Sequence, residues 1–155
     1  MSTATSAYGA LVLAPASEGP TWDAVAAGRH GPDARALSHV LGAVRDRFNV
    51  DRDRVAVAGL GDGASYALGL GLANGGLFTR VLAYSPGHVP SVHRNGRPTV
   101  FVSHSRRDGT PRRSAAGRRV VAALERDGYH VDHVEHDQAG TVPEAVVAAS
   151  AELLG

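Results

Sequence analysis

The sequence predicts an α/β domain in which a mostly parallel sheet of about five strands lies between helices. Three observations predict it. Short apolar runs alternate with longer amphipathic stretches, the strand–helix–strand rhythm of parallel sheets. The apolar runs are continuous, as suits strands buried on both faces. The 155 residues, 43% hydrophobic and 20% charged, suit one globular domain spanning residues 1–155.

Each element follows from local pattern. Gly9 to Ala14 is an apolar run and the first strand candidate. Pro15 to Gly31, rich in Gly, Pro, Ser and Thr, reads as a long loop holding the only Trp, Trp22. Pro32 suits the first turn of a helix to Phe48, with Leu37, Leu41, Val44 and Phe48 along one face. Val55 to Ala58 is the second strand, followed by a Gly- and Ala-rich helix from Asp62 to Asn74. Arg80 to Tyr84 and Thr99 to Ser103 are the third and fourth strands. A helix from Ser114 to Asp127 ends at Gly128, and Tyr129 to Glu135 is the fifth strand. Thr141-Val142-Pro143-Glu144 matches a capping box that would open the last helix.

Composition excludes several classes. All 16 basic residues are Arg, and the formal charge of +1 gives no reason to expect nucleic acid as a partner. With no Cys there is no disulfide, thiolate metal site or thiol nucleophile. No apolar run approaches membrane-spanning length. Met1 to Tyr8 lacks a basic leader region, so a cytoplasmic location is expected.

In a parallel sheet with right-handed crossovers, the loops after the strands gather at one edge, where ligands bind. Those loops carry the candidate chemistry. The second strand enters Gly59-Leu60-Gly61-Asp62-Gly63, the frame of a G-x-S-x-G nucleophile elbow with Gly61 in place of Ser. The same residues, with Ala64, fit a dinucleotide-binding G-x-G-x-x-A, but the acidic residue expected about twenty positions on is missing.

The residues from Val55-Ala56-Val57-Ala58-Gly59-Leu60-Gly61-Asp62-Gly63-Ala64 to Leu82-Ala83-Tyr84-Ser85-Pro86-Gly87 resemble the esterase branch of the α/β-hydrolases, the dienelactone hydrolase and phospholipase/carboxylesterase-like group. The resemblance continues through Pro98–His104 and Arg107-Asp108, where that family carries its triad Asp. It reaches His136–Pro143, where the family reads G-G-H-T-V-P. It implies that the family's Ser falls on Gly61 and its His on Gly140, while Asp108 is retained. It also implies upstream strands and an oxyanion loop that this chain lacks, so a truncated domain is expected. With Ser and His replaced, Ser-triad chemistry has no nucleophile and no base. A pseudoenzyme that binds a small molecule or partner protein is therefore expected.

The alternative is a non-hydrolytic acid–base enzyme of biosynthesis, a cyclase, isomerase or lyase. Asp62, His88, His104 and His136 would supply the chemistry, with Asp108 orienting a His. Asp62 equally suits a helix N-terminus, and His104 a structural role. Gly63, Arg107, Arg112 and Arg113 could form an anion subsite, or the arginines a solvated helix entrance. His130, His133 and His136 alternate between strand faces, so no metal is expected, and no cofactor. Sequential pairing of five strands would put three helices on one face and one on the other, so a homodimer is expected to cover the remainder.

Overall fold

The computed structural model describes residues 6–7, 10–27, 29, 31–109 and 111–155. The chain divides into two compact units, Met1–Asn49 and Val50–Gly155.

In the first unit, β1 (Ser6–Ala7) and β2 (Ala10–Leu11) form a short antiparallel ladder. The expected first strand is thus corrected. Ala10 and Leu11 pair within this ladder, Val12 to Ala14 are not strand, and Gly9 lies outside the described residues. Six apolar residues satisfy a strand pattern, but only pairing partners make a strand, and here the neighbouring segment supplies them. Helix α1 (Asp23–Ala27) interrupts the expected loop. Helix α2 (Pro32–Arg47) starts with Pro32 in its first turn, where a missing N–H costs nothing. Asp33 is buried, and its carboxylate accepts from the N–H groups of Glu18 and Asp23, each at 2.8 Å. Asp23 returns the contact by accepting from Asp33 N–H at 2.9 Å, which locks the entry to α2.

The second unit holds a four-stranded parallel sheet in the order β3 (Ala56–Leu60), β4 (Arg80–Tyr84), β5 (Thr99–Ser105), β6 (Val131–His136). Helix α3 (Asp62–Ala73) connects β3 to β4. Helices α4 (Pro111–Ser114) and α5 (Ala116–Arg126) connect β5 to β6, so the single helix expected there is split at Ala115. Helix α6 (Glu144–Glu152) follows β6. Its capping box does not form, because Pro143 is extended and disfavours helix at Val142 before it, so the helix begins only at Glu144. A short 3-10 turn, Arg52–Arg54, leads into β3.

Ala58 and Leu60 of β3 remain exposed. Helices lie on both faces of the sheet, α3 and α5 on one and α6 on the other, rather than the three and one expected from five strands. On one, Ala64, Ala67, Leu68 and Leu72 of α3 pack with Val120, Val121 and Leu124 of α5 against Val81, Ala83, Val100 and Val102. On the other, Leu82 and Phe101 meet Val146 of α6, with Tyr84, Val134, Val142, Leu153 and Leu154 around them. This burial is the main favourable term holding the three layers together. The Tyr84 hydroxyl lies 2.5 Å from Ser150 Oγ, which itself donates to Val147 O, so Tyr84 is the donor. Among the described residues no helix is long and apolar enough to cross a membrane.

Candidate functional site

The loops after all four strands meet at one cleft of about 560 Å³ at the carboxyl edge of the sheet. Leu60, Gly61 and Asp62 enter it after β3, Ser85 to Gly87 after β4, Asp108 and Gly109 after β5, and Ala139 to Thr141 after β6, with Ala116 of α5 beside them.

The turn between β3 and α3 has the shape of a nucleophile elbow. Gly61 sits at φ 59°, ψ −118°, where a residue with a Cβ is strained by about 1–3 kcal/mol. Gly59 lets strand and helix cross closely, since a Cβ there would lie 2.0 Å from the Gly63 carbonyl oxygen. A Cβ on Gly61 would meet nothing within 4 Å, and the same holds for Gly140, at φ 70°.

Asp108 ties the cleft together. Its Oδ1 accepts from the Gly140 backbone N–H at 3.4 Å, and its Oδ2 accepts from the Ser85 hydroxyl at 3.5 Å. Ser85 has φ 55°, a left-handed conformation uncommon for a residue with a Cβ. Its N–H donates to Ser103 O at 2.7 Å. Buried Ser65 accepts from the N–H groups of Gly87 and His88 at 3.1 and 3.4 Å and so anchors the loop after β4 to α3.

Of the sequence-predicted residues, Gly61, Asp62, Asp108 and Gly140 line the cleft. His88, His104 and His136 are not among the lining residues. His88 is exposed, and His104 and His136 are buried elsewhere on the sheet. Both ring nitrogens of His136 are buried without a hydrogen-bond partner.

Neither Arg107 nor Arg112 lines the cleft, and both are exposed. The side chain of Arg113 lies outside the described residues. Gly63 occupies the first turn of α3, packed against Gly59. Neighbouring arginines are engaged by acids around β6. Arg106 pairs with Asp137 at 2.7 and 2.9 Å, and Arg118 with Glu135 at 2.6 and 3.0 Å. Those guanidinium hydrogen bonds hold both carboxyl groups below their usual pKa.

On the sheet face covered by α3 and α5, His104 stacks on His133, with ring centroids 4.9 Å apart and planes 12° apart. Burial, reinforced by His133, pushes the His104 pKa below its ordinary value. Alternation along β6 separates His133 from His136 as expected. What the sequence pattern missed is the cross-strand register, which sets His104 opposite Glu135.

No protein-family profile and no curated protein matches the sequence. Solved structures do. A Bacillus cereus carboxylesterase superposes with a TM-score of 0.62 at 17% identity, covering 79% of this chain and 58% of its own. An S-formylglutathione hydrolase from Staphylococcus aureus gives 0.66 at 12% identity, covering 86% of this chain and 63% of its own. A fluorophosphonate-binding serine hydrolase of Staphylococcus aureus, solved with substrate bound, gives 0.66 at 11% identity, covering 81% and 65%. The chain therefore spans 58–65% of the length of these structures. At such identities the likeness speaks for fold alone, and the fold of this chain is that of the α/β-hydrolases.

Proposed function

We infer that this protein is a degenerate α/β-hydrolase that binds a small polar molecule at the old active-site edge without hydrolysing it. The observation that carries this reading is the cleft itself. It keeps the elbow turn and Asp108, but Gly61 and Gly140 stand where nucleophile and base would be, and the lining residues include no His. Acyl transfer by a Ser triad needs a hydroxyl at the elbow and an imidazole beside it.

The lining also suggests the ligand's chemistry. Asp62 and Asp108 are carboxylates, Ser85 and Thr141 offer hydroxyls, and no Arg takes part. A hydroxylated or cationic small molecule suits such a lining better than the anion considered from sequence. The acid–base enzyme reading has less support, because none of its three histidines lines the cleft. We also propose a homodimer. β3 is an outer strand of the four-stranded sheet, its Ala58 is exposed, and Leu60 is 57% exposed.

The test has two arms. The purified chain is treated with a fluorophosphonate probe and with p-nitrophenyl esters, and neither labelling nor turnover is expected. A panel of small polyols and amines is then screened by thermal shift against wild type and Ala139→Trp, which fills the cleft from an exposed position. A stabilising ligand lost in the variant supports the reading. Stoichiometric Ser labelling refutes it, as does a ligand that binds the variant equally well.

A further inference from the structure

A second cluster of chemistry-bearing side chains lies away from the cleft. His104 leaves β5 on the face covered by α5, directly opposite Glu135 of β6, and His133 stands two residues before Glu135 on the same face. One ligating atom from each of the three lies within 4.8 Å of the others, the one such group among the described residues. We propose that His104, His133 and Glu135 form a binding site for a divalent transition ion of the zinc class. The proposal stands independently of the reading of the cleft.

Donor chemistry selects the ion. Two imidazoles and one carboxylate are the donors that zinc and its first-row neighbours accept, whereas calcium and magnesium want an all-oxygen shell. Three protein ligands leave a coordination position for water.

The local structure prepares one ligand and leaves two adjustable. His104 is only 2% exposed, and its Nε2 is buried without a hydrogen-bond partner, lying 3.5 Å from Glu135 Oε1. Its Nδ1 faces His133 Nε2 at 3.1 Å. The α5 backbone holds the ring in place, since a Cβ on Gly117 would lie 2.3 Å from its Cγ and Nδ1. His133 is exposed and Glu135 half-buried, so both can rotate. Tetrahedral coordination with bonds of about 2.0–2.2 Å sets ligand atoms about 3.4 Å apart, a contraction that these two side chains can supply.

Arg118 is the competitor. It holds Glu135 through two hydrogen bonds, and Arg106 Nη1 lies 3.9 Å from the same carboxylate. A cation arriving at Glu135 must displace the Arg118 guanidinium, which is 61% exposed and free to swing into solvent. Arg118 therefore competes with a cation for Glu135 and lowers the affinity of the site.

Zinc chloride is titrated calorimetrically into the full chain and into four variants. One zinc per chain is expected. His133→Ala and Glu135→Gln should each weaken binding at least about tenfold, since even outer-shell partners are worth that much. His130→Ala, whose imidazole pairs with Asp132 outside the cluster, should bind as wild type does. Arg118→Gln should bind about two- to fivefold tighter, the worth of an exposed ion pair released. Buried His104 is left intact so that folding is not at stake. Absence of zinc binding in both wild type and Arg118→Gln overturns the proposal. So does binding unchanged in both His133→Ala and Glu135→Gln, which would locate the ion on other surface histidines.

Discussion

The backbone N–H of Gly140 donates to Oδ1 of Asp108 across 3.4 Å, joining the loops after β6 and β5. The other oxygen of the same carboxylate accepts from Ser85 at the end of β4. Asp108 is thus held by backbone on one side and hydroxyl on the other, with no imidazole among the residues lining the cleft. Asp108 thereby links the loops after β4, β5 and β6 that wall the cleft.

Gly61→Ser tests the elbow. Space is available for the side chain, but the φ of 59° is not congenial to it. The variant should fold with about 1–3 kcal/mol less stability, read from urea denaturation. It should remain unlabelled by fluorophosphonate, because the residues lining the cleft include no imidazole to activate the hydroxyl. Rapid labelling would reveal a base elsewhere.

Close helix approach makes a second pair of substitutions informative. Gly117→Ala places a methyl against the buried His104 ring and should cost about 1–3 kcal/mol by overpacking. Gly59→Ala should cost more, because its methyl meets the Gly63 carbonyl at 2.0 Å and backbone cannot step aside. Equal denaturation midpoints for the two would show that the strand–helix crossing is looser than this.

Tyr84 makes stability depend on alkaline pH. Burial raises its pKa above the ordinary 10.0, and the Ser150 hydrogen bond only partly offsets this. Above about pH 10 the unfolded chain therefore loses this proton more readily than the folded one. The contribution is fully present below that pH and disappears as pH rises through the folded value. The urea midpoint should fall between pH 9 and pH 11, and Tyr84→Phe should reduce the fall. At neutral pH that variant should lose only about 1 kcal/mol, since Ser150 still donates to Val147 O. An identical alkaline slope in the variant would assign the effect elsewhere.

The proposed dimer is checked by light scattering at micromolar concentration. Wild type should scatter as two chains. Ala58→Arg, which puts charge on an exposed position of the outer strand β3, should shift it to one. A monomeric wild type would mean that the strand edge needs no second copy.

The sequence by itself determined the α/β class, the four strands from Ala56 onward, and the elbow that ends in Gly61. These are local signals. Continuous apolar runs specify buried strands, and a glycine after a strand permits a backbone that other residues resist. It also located the carboxyl-edge loops, because crossover handedness follows from chain chirality. It misplaced the strand at Ala10–Leu11 and the start of the last helix. A strand exists only with a pairing partner, and Pro143 outweighs the capping pattern of Thr141 and Glu144. Only the tertiary structure decided which ionisable groups meet. Parallel register between β5 and β6 set His104 against Glu135 and His133, residues some thirty positions apart whose encounter no local periodicity encodes. The same packing kept His88, His104 and His136 out of the cleft lining, where loop position alone had grouped them.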